Sequence, residues 1–323
     1  MTLAPQALRQ LVGTIFEKHG MGAEHASVTA DVLVWADLRG MGTHGVMRTT
    51  QYVNLMRKGD LNPRPQMKTS ADGVIDADRA AGPIAMTYAA SVACERAKGS
   101  GIGLALVKDT THTAALGYYT QAAARQGFAA LALAASSPLM AYHGTRAAGV
   151  STAPLSIAVP GEEEPLALDM SSSMISMGAL AQARRSGKTL PEGVVLASDG
   201  TPTTDPKLAS VPLPLGGAKG SGLAFMFECL ASFLTSNPIL AEALEKTPAS
   251  RRHKQNAVVI AIDVARFVAL VEFKREVARL AGGLRRLPGE DILMPGERGS
   301  RNAARQRDAV TISPQVYEEL KAL

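Results

Sequence analysis

The residues best suited to chemistry begin in the stretch Asp37-Leu38-Arg39-Gly40-Met41-Gly42-Thr43-His44-Gly45-Val46-Met47-Arg48. His44 lies in a glycine-rich turn ahead of a helix, a setting that exposes and aims an imidazole. If that helix begins near Val46, Arg48 and Tyr52 fall four apart on one face. The three then offer a proton carrier, a planar carboxylate clamp and a phenolic donor. The competing reading is a turn histidine beside a solvated arginine. A second stretch, Thr110-Thr111-His112-Thr113-Ala114-Ala115-Leu116-Gly117, puts His112 between an apolar strand and a helix. Strand-to-helix turns are where α/β proteins build sites, although a capping cluster of threonines has the same pattern. His143, in His143-Gly144-Thr145-Arg146, reads as a loop histidine.

Two further stretches suit anions or hydroxyls. Gly216 to Gly222, with Lys219 inside, leads into an apolar helix; helix N-terminal N–H groups and a lysine favour an anion, and a flexible turn is the alternative. Asp169-Met170-Ser171-Ser172-Ser173 follows a short strand and could cap a helix or touch a ribose or phosphate. The standard nucleotide fingerprints are missing. Gly99, Gly101 and Gly103 precede a strand rather than follow one, and the third Rossmann glycine is absent. In the Gly216 loop Ala218 stands where a Walker A loop needs glycine before its lysine.

The elements that must position these residues are legible in part. Leu8, Leu11, Val12, Ile15 and Phe16 mark one helix, and Val28, Val32 and Trp35 a second that stops near Gly40. A third runs from Arg48 to Lys58 and ends at Gly59. Short apolar runs at Ile102–Val107, Leu131–Ala135, Leu155–Val159, Leu166–Leu168, Val194–Ala197 and Ala257–Ile262 fit buried strands. Met86–Ala97, Tyr118–Ala124 and Gly222–Phe233 read as helices, and Glu162-Glu163-Glu164 as a hairpin tip. Helices first, then strands mixed with helices, indicate an α/β or α+β chain.

Composition excludes several classes. With 323 residues, 46% apolar and 20% charged, the chain is an ordinary globular protein of one large or two domains. A net charge of +5 and 4% aromatic residues argue against a nucleic-acid partner, despite Arg298, Arg301, Arg305 and Arg307 near the end. Cys94 and Cys229 stand far apart, which argues against a disulfide framework and a metal site and for a reducing compartment. The start has no apolar core of a signal peptide and the longest apolar runs are too short to span a bilayer, so a cytoplasmic protein without a membrane partner is expected.

Taken in order, six stretches resemble the malate/L-lactate dehydrogenase family of the second type, which is distinct from the Rossmann lactate and malate dehydrogenases. They are Ala36–Arg48, Thr111–Tyr119, Val159–Ser173, Gly200–Pro206, Gly216–Leu230 and Met294–Arg298. That family includes ureidoglycolate and sulfolactate dehydrogenases and reductases of piperideine- and pyrroline-2-carboxylate. The resemblance implies an α/β fold with a family-specific mixed sheet that binds NAD or NADP without GxGxxG, and a homodimer. It implies a helical region over 1–75, a cofactor-binding domain over 76–270, and a segment over 271–323 that packs back on the start. It also implies hydride transfer between nicotinamide and C2 of a small 2-oxo or 2-hydroxy carboxylate, or reduction of a cyclic 2-imino acid; a cofactor-binding relative without turnover is the further alternative. Position by position, His112 matches the proton donor or acceptor, and His44 and Arg48 match a substrate-side histidine and the carboxylate-binding arginine. Which histidine carries the proton stays open. Ser136, Asp169, Met170, Ser171 and Lys219 match cofactor contacts, and Gly296, Glu297 and Arg298 a late loop that closes on the cofactor. The chain departs from the family pattern at Thr113-Ala114, where Phe-Gly is common, and at Ser151-Thr152-Ala153-Pro154, where Gly-Thr-Asn-Pro is common.

Overall fold

The computed structural model describes residues 1–248 and 252–323. It opens with β1 (Thr2–Leu3), α1 (Pro5–Lys18) and α2 (Ala23–Leu38). Pro5 starts α1, where its missing N–H costs nothing, and Leu8, Val12, Ile15 and Phe16 form the buried stripe. After α2 come two single-turn 3₁₀ helices, Gly42–His44 and Val46–Arg48, and then α3 (Thr49–Lys58), stopped by Gly59 in the left-handed region.

The middle of the chain supplies β2 (Lys68–Thr69), β3 (Val74–Asp76), α4 (Gly82–Ser100), β4 (Ile102–Thr110), α5 (Gly117–Arg125) and β5 (Phe128–Ser136). A small hairpin of β6 (Met140–Ala141) and β7 (Ala148–Val150) follows, then β8 (Leu155–Val159) and β9 (Leu166–Met170). Next are α6 (Met177–Ser186), β10 (Val195–Ala197), β11 (Ala209–Pro212), α7 (Ala218–Glu228) with a π-helical turn over Cys229–Phe233, α8 (Leu240–Leu244) and β12 (Gln255–Asp263). The chain ends with α9 (Leu270–Arg285), α10 (Glu297–Arg305), β13 (Val310–Thr311) and α11 (Pro314–Lys321).

The main sheet has seven strands in the order β2-β3-β4-β12-β5-β8-β9. Only β3 and β4 run parallel; the other neighbours are antiparallel, so the sheet is mixed. Its central strands alternate strictly. Ala105, Val107, Ala130, Ala132, Ala134, Ala257, Val259 and Ala261 join the larger core beneath α4 and α5. Leu106, Leu133 and Val258 face the other way, against Ala224, Phe227 and Ala231 of α7 and its π turn. The period of two thus buries both faces, with small residues on the side where α4 lies closest.

One of the glycines that fail as a phosphate fingerprint has a packing role. A Cβ on Gly103 would lie 1.9 Å from the Ala93 carbonyl oxygen, so α4 can rest on β4 only where that position has no side chain. The first and last residues also meet: β1 pairs with β13, the Met1 amino group bonds the Ile312 carbonyl, and Lys18 Nζ bonds a Leu323 oxygen.

Several elements differ from the sequence reading. Val195–Ala197 pairs with β11 in a separate two-stranded ribbon, outside the main sheet. Asp169 and Met170 lie in β9 itself, because the antiparallel pairing with Leu155 and Ser156 continues to them. α7 starts at Ala218 and widens into a π turn at Cys229. The helices α6 and α9 carry no sequence signal that was picked out, and the arginine-rich end is largely α10, where Arg301 pairs with Glu297 and Asp291.

Gly103→Ala should lower the unfolding free energy by about 1–3 kcal/mol, the usual cost of forcing a methyl into a packed core. Urea denaturation followed by circular dichroism measures it.

Candidate active site

A cavity of about 670 Å³ opens where the ends of β4, β5 and β9 meet the start of β12, with the Gly42–Arg48 turns and the start of α6 closing it from outside. Its lining includes His44, Arg48, His112, His253, Gln255, Ser136, Asp169, Met170 and Ser171. Much of the remaining wall is small or apolar, including Thr113, Ala114, Ala115, Leu116, Ala134, Leu139 and Pro154, and Gln51 and Gln182 add polar groups.

Arg48, His112 and His44 are held by neighbouring groups of the protein. Arg48 Nε donates to the Thr43 carbonyl at 2.7 Å and Nη1 to Gln51 Oε1 at 2.9 Å, and Nη2 has no hydrogen-bond partner among the described residues. The fixed stem leaves one edge of the fork available. Tyr52 is fully buried, and its hydroxyl lies 2.8 Å from the His112 carbonyl and 3.1 Å from His112 Nδ1. A phenol has one proton, and the carbonyl oxygen can only accept. The hydroxyl therefore donates to the carbonyl and accepts from Nδ1–H. This assigns the tautomer: His112 Nε2 carries the lone pair. The His44 and His112 rings lie stacked with centroids 5.9 Å apart and planes 20° apart, and His44 Nδ1 is 3.1 Å from Thr43 Oγ1.

Electrostatics keeps both imidazoles neutral. Burial first, and then the Arg48 charge, lower His44 to about 4. His112 is driven well below the ordinary imidazole range by burial first, then by the Arg48 charge, with the neighbouring imidazoles of His44 and His253 opposing its protonation further whenever they are protonated. Asp169 moves the other way, up to about 6 through burial, although the Gly117 N–H bond of 2.8 Å opposes the rise. Asp37 lies beneath the His44 turn. Its Oδ2 accepts the Val46 N–H at 2.7 Å, and burial lifts it to about 7. A Cβ on Gly45 would fall 2.2 Å from that carboxyl, so glycine there is what lets the turn close over it.

Comparisons with known proteins show the family. The family model described as malate/L-lactate dehydrogenase matches residues 3–321. The chain is 32% identical to L-sulfolactate dehydrogenase of Methanocaldococcus jannaschii, over 100% of this chain and 96% of that protein. It is 31% identical to the Δ¹-pyrroline-2-carboxylate/Δ¹-piperideine-2-carboxylate reductase of Pseudomonas putida, covering 98% of this chain and 92% of the relative. The crystal structure of malate dehydrogenase from Entamoeba histolytica superposes with a TM-score of 0.91 at 27% identity, covering 100% of this chain and 96% of that one. The chain belongs to the malate/L-lactate dehydrogenase family. It is an oxidoreductase with that family's mixed sheet.

Within this family member, the fold brings most of the expected residues together. His44, Arg48, His112, Ser136, Asp169, Met170 and Ser171 all line the one cavity. Lys219, Gly296, Glu297 and Arg298 do not. Lys219 is exposed in the first turn of α7, and Arg298 is exposed on α10. Glu297 is occupied: it accepts the Met294 N–H and pairs with Arg285 and Arg301, and these contacts, led by the Met294 bond, hold it down at about 2. His143 lies beside Gly217 in a separate, smaller cavity. Sequence reasoning missed His253 and Gln255, which precede or open a strand and match no motif, and α6, whose Ser176, Gly178 and Gln182 reach the cavity. The Nε2 of His253 is buried without a hydrogen-bond partner among the described residues.

Asp37 gives a pH test. Its folded pKa lies above its unfolded one, so it withdraws stability as pH climbs through that interval and withdraws no more above about 7. Asp37→Asn keeps an acceptor for Val46. The variant should gain on wild type between pH 4 and 7 by at most roughly 1.4 kcal/mol per unit, then level off. Urea unfolding at a series of pH values reads the difference.

Proposed function

We propose that the protein transfers a hydride between a nicotinamide dinucleotide, NAD or NADP, and C2 of a small 2-oxo or 2-hydroxy carboxylate. The observation that carries this reading is the convergence in one cavity of an arginine with a free edge and a histidine whose Nε2 is a base by tautomer. The residues present fit the cofactor. The hydroxyls of Ser136 and Ser171 and the Asp169 carboxyl share a wall with Leu116, Leu139 and Pro154, a mixture suited to a flat ring with a carboxamide and a ribose. Ser136, Asp169, Met170 and Ser171 would hold that end. Lys219, Gly296, Glu297 and Arg298 would meet the part of the dinucleotide the cavity does not take. When bound, the nicotinamide supplies or receives the hydride.

The chain's own groups do the rest. Arg48 presents its open edge to the substrate carboxylate and fixes the plane of the reacting carbon. Neutralising that guanidinium removes part of the charge that depresses His112, so substrate binding makes the imidazole a better proton acceptor. His112 Nε2 then takes the hydroxyl proton in oxidation and returns it in reduction. His44, stacked on it, is placed to bond the substrate oxygen.

A second reading has its own support. On the Thr113, Ala114 and Ala115 side of His112 the cavity wall carries no aromatic ring, which leaves room for a cyclic imino acid. The same proposal includes a homodimer, supported by the exposed Leu223, Met226, Leu230 and Phe233 on α7 and its π turn. A cytoplasmic location, in line with the two free cysteines, belongs to it as well.

The test is nicotinamide absorbance with NADH or NADPH against straight-chain 2-oxo acids and cyclic imino acids. Turnover of the first set supports the main reading, and preference for the second supports the reductase. Cofactor binding with no turnover on any of them overturns both. Arg48→Lys should raise substrate KM about tenfold or more, because a point charge cannot reproduce the fork. Tyr52→Phe should lower kcat by about tenfold while leaving cofactor affinity unchanged, since it frees the His112 tautomer. For oxidation, kcat/KM should stay level across neutral pH and fall only below the ordinary imidazole range, where His112 takes up its proton.

A further inference from the structure

We propose that Gln255 is a positioning residue for His112, acting through the backbone of Thr113. The inference rests on the reading of His112 given above. Gln255 opens β12 at the middle of the sheet, opposite Thr110 of β4 on one side and Ser136 of β5 on the other. Its side chain lines the cavity, and its Oε1 accepts the Thr113 N–H at 3.1 Å.

Thr113 directly follows His112, in a loop that no ladder holds. Ala114 sits there at φ 56°, a conformation that alanine adopts only when its surroundings impose it. The imposing contacts are few and specific. Tyr52 holds the His112 carbonyl, Tyr119 Oη donates to the Thr113 carbonyl at 2.8 Å, and Gln255 takes the remaining N–H. Thr113 is 2% exposed, so water is not a ready substitute for the lost acceptor.

The strand that carries Gln255 is anchored by its neighbour. The next residue, Asn256, is fully buried, and its Oδ1 accepts the Asp109 N–H at 3.0 Å and Asn237 Nδ2 at 2.8 Å. Its Nδ2 donates to Ser232 Oγ at 2.9 Å and the Asn237 carbonyl at 2.7 Å. Neighbouring strand residues point to opposite faces, so Asn256 anchors the strand while Gln255 reaches the loop. Because the Thr113 N–H requires the amide oxygen, the orientation of the Gln255 amide is settled by the donor it meets.

The experiment compares full-length wild type with Gln255→Leu, Gln255→Glu and His112→Ala on the best substrate of the panel. Gln255→Leu keeps the volume and removes the acceptor; kcat should fall about tenfold or more, with substrate KM and cofactor Kd within about threefold. Gln255→Glu keeps the acceptor and should recover most of that loss. Its carboxylate near His112 should also move the acid limb of kcat/KM to higher pH, a change that a purely structural role does not produce. If Gln255→Leu fails to fold, Gln255→Met, which also lacks the amide acceptor, takes its place in the same kcat comparison. Wild-type kcat in Gln255→Leu overturns the proposal, as does an unmoved limb in Gln255→Glu. His112→Ala separates the two levels: inactive His112→Ala with fully active Gln255→Leu removes only the role of Gln255, whereas wild-type turnover in His112→Ala removes the reading of the site and this inference with it.

Discussion

The site depends on one phenol. Tyr52 belongs to α3, in the helical first part of the chain, and His112 belongs to the loop after β4, in the sheet. The Tyr52 hydroxyl joins them through the His112 carbonyl and Nδ1. The ring itself packs against Phe16 in the larger core, so the polar tip is placed by apolar contacts on every other side. That combination decides the depth of α3 against the sheet and the tautomer of the imidazole together. A phenol in this setting stays protonated, since burial pushes its pKa up.

Desolvation supplies the second constraint. The walls of the cavity hold His44, His112 and His253 neutral and leave Arg48 as the fixed cation facing it. A carboxylate entering such a space meets one cation, Arg48, and several neutral donors or acceptors, with the Asp169 carboxyl on the opposing side of the charge balance. Orientation therefore comes from geometry rather than from a diffuse positive field, which fits a net charge of only +5 over 323 residues. Asp37 is part of the same scheme: its carboxyl fills the space under the turn and fixes the Val46 N–H, so the loop that carries His44 and Arg48 is built on a buried group.

The glycines show how a mixed sheet can do without a nucleotide fingerprint. In a Rossmann unit they let backbone approach a pyrophosphate. Here Gly103 lets α4 approach β4, and Gly45 lets a turn cover Asp37. The polar lining comes instead from strand ends. Asp169 and Met170 at the end of β9 and Ser136 at the end of β5 arrive on one wall because those strands flank β8.

The sequence by itself determined the helical start and the buried central strands, and it offered the residue types from which the cavity draws. The stripe of Leu8, Val12, Ile15 and Phe16 is a local pattern, and so is the glycine-bounded His44 turn with Arg48 four residues later. Such signals survive because periodicity and turn chemistry act over a few residues. The tertiary structure alone decided which of the candidates meet. His44 and His112 stack although 68 positions separate them, a separation read directly from their numbers. Lys219 and Arg298, equally plausible as residues, stay outside the cavity. Gln255 and His253 could not be found from spacing, because β12 is placed between β4 and β5 by pairing with strands more than a hundred positions earlier. Pairing of that kind depends on the summed burial of whole strand faces, and no short window of sequence contains it.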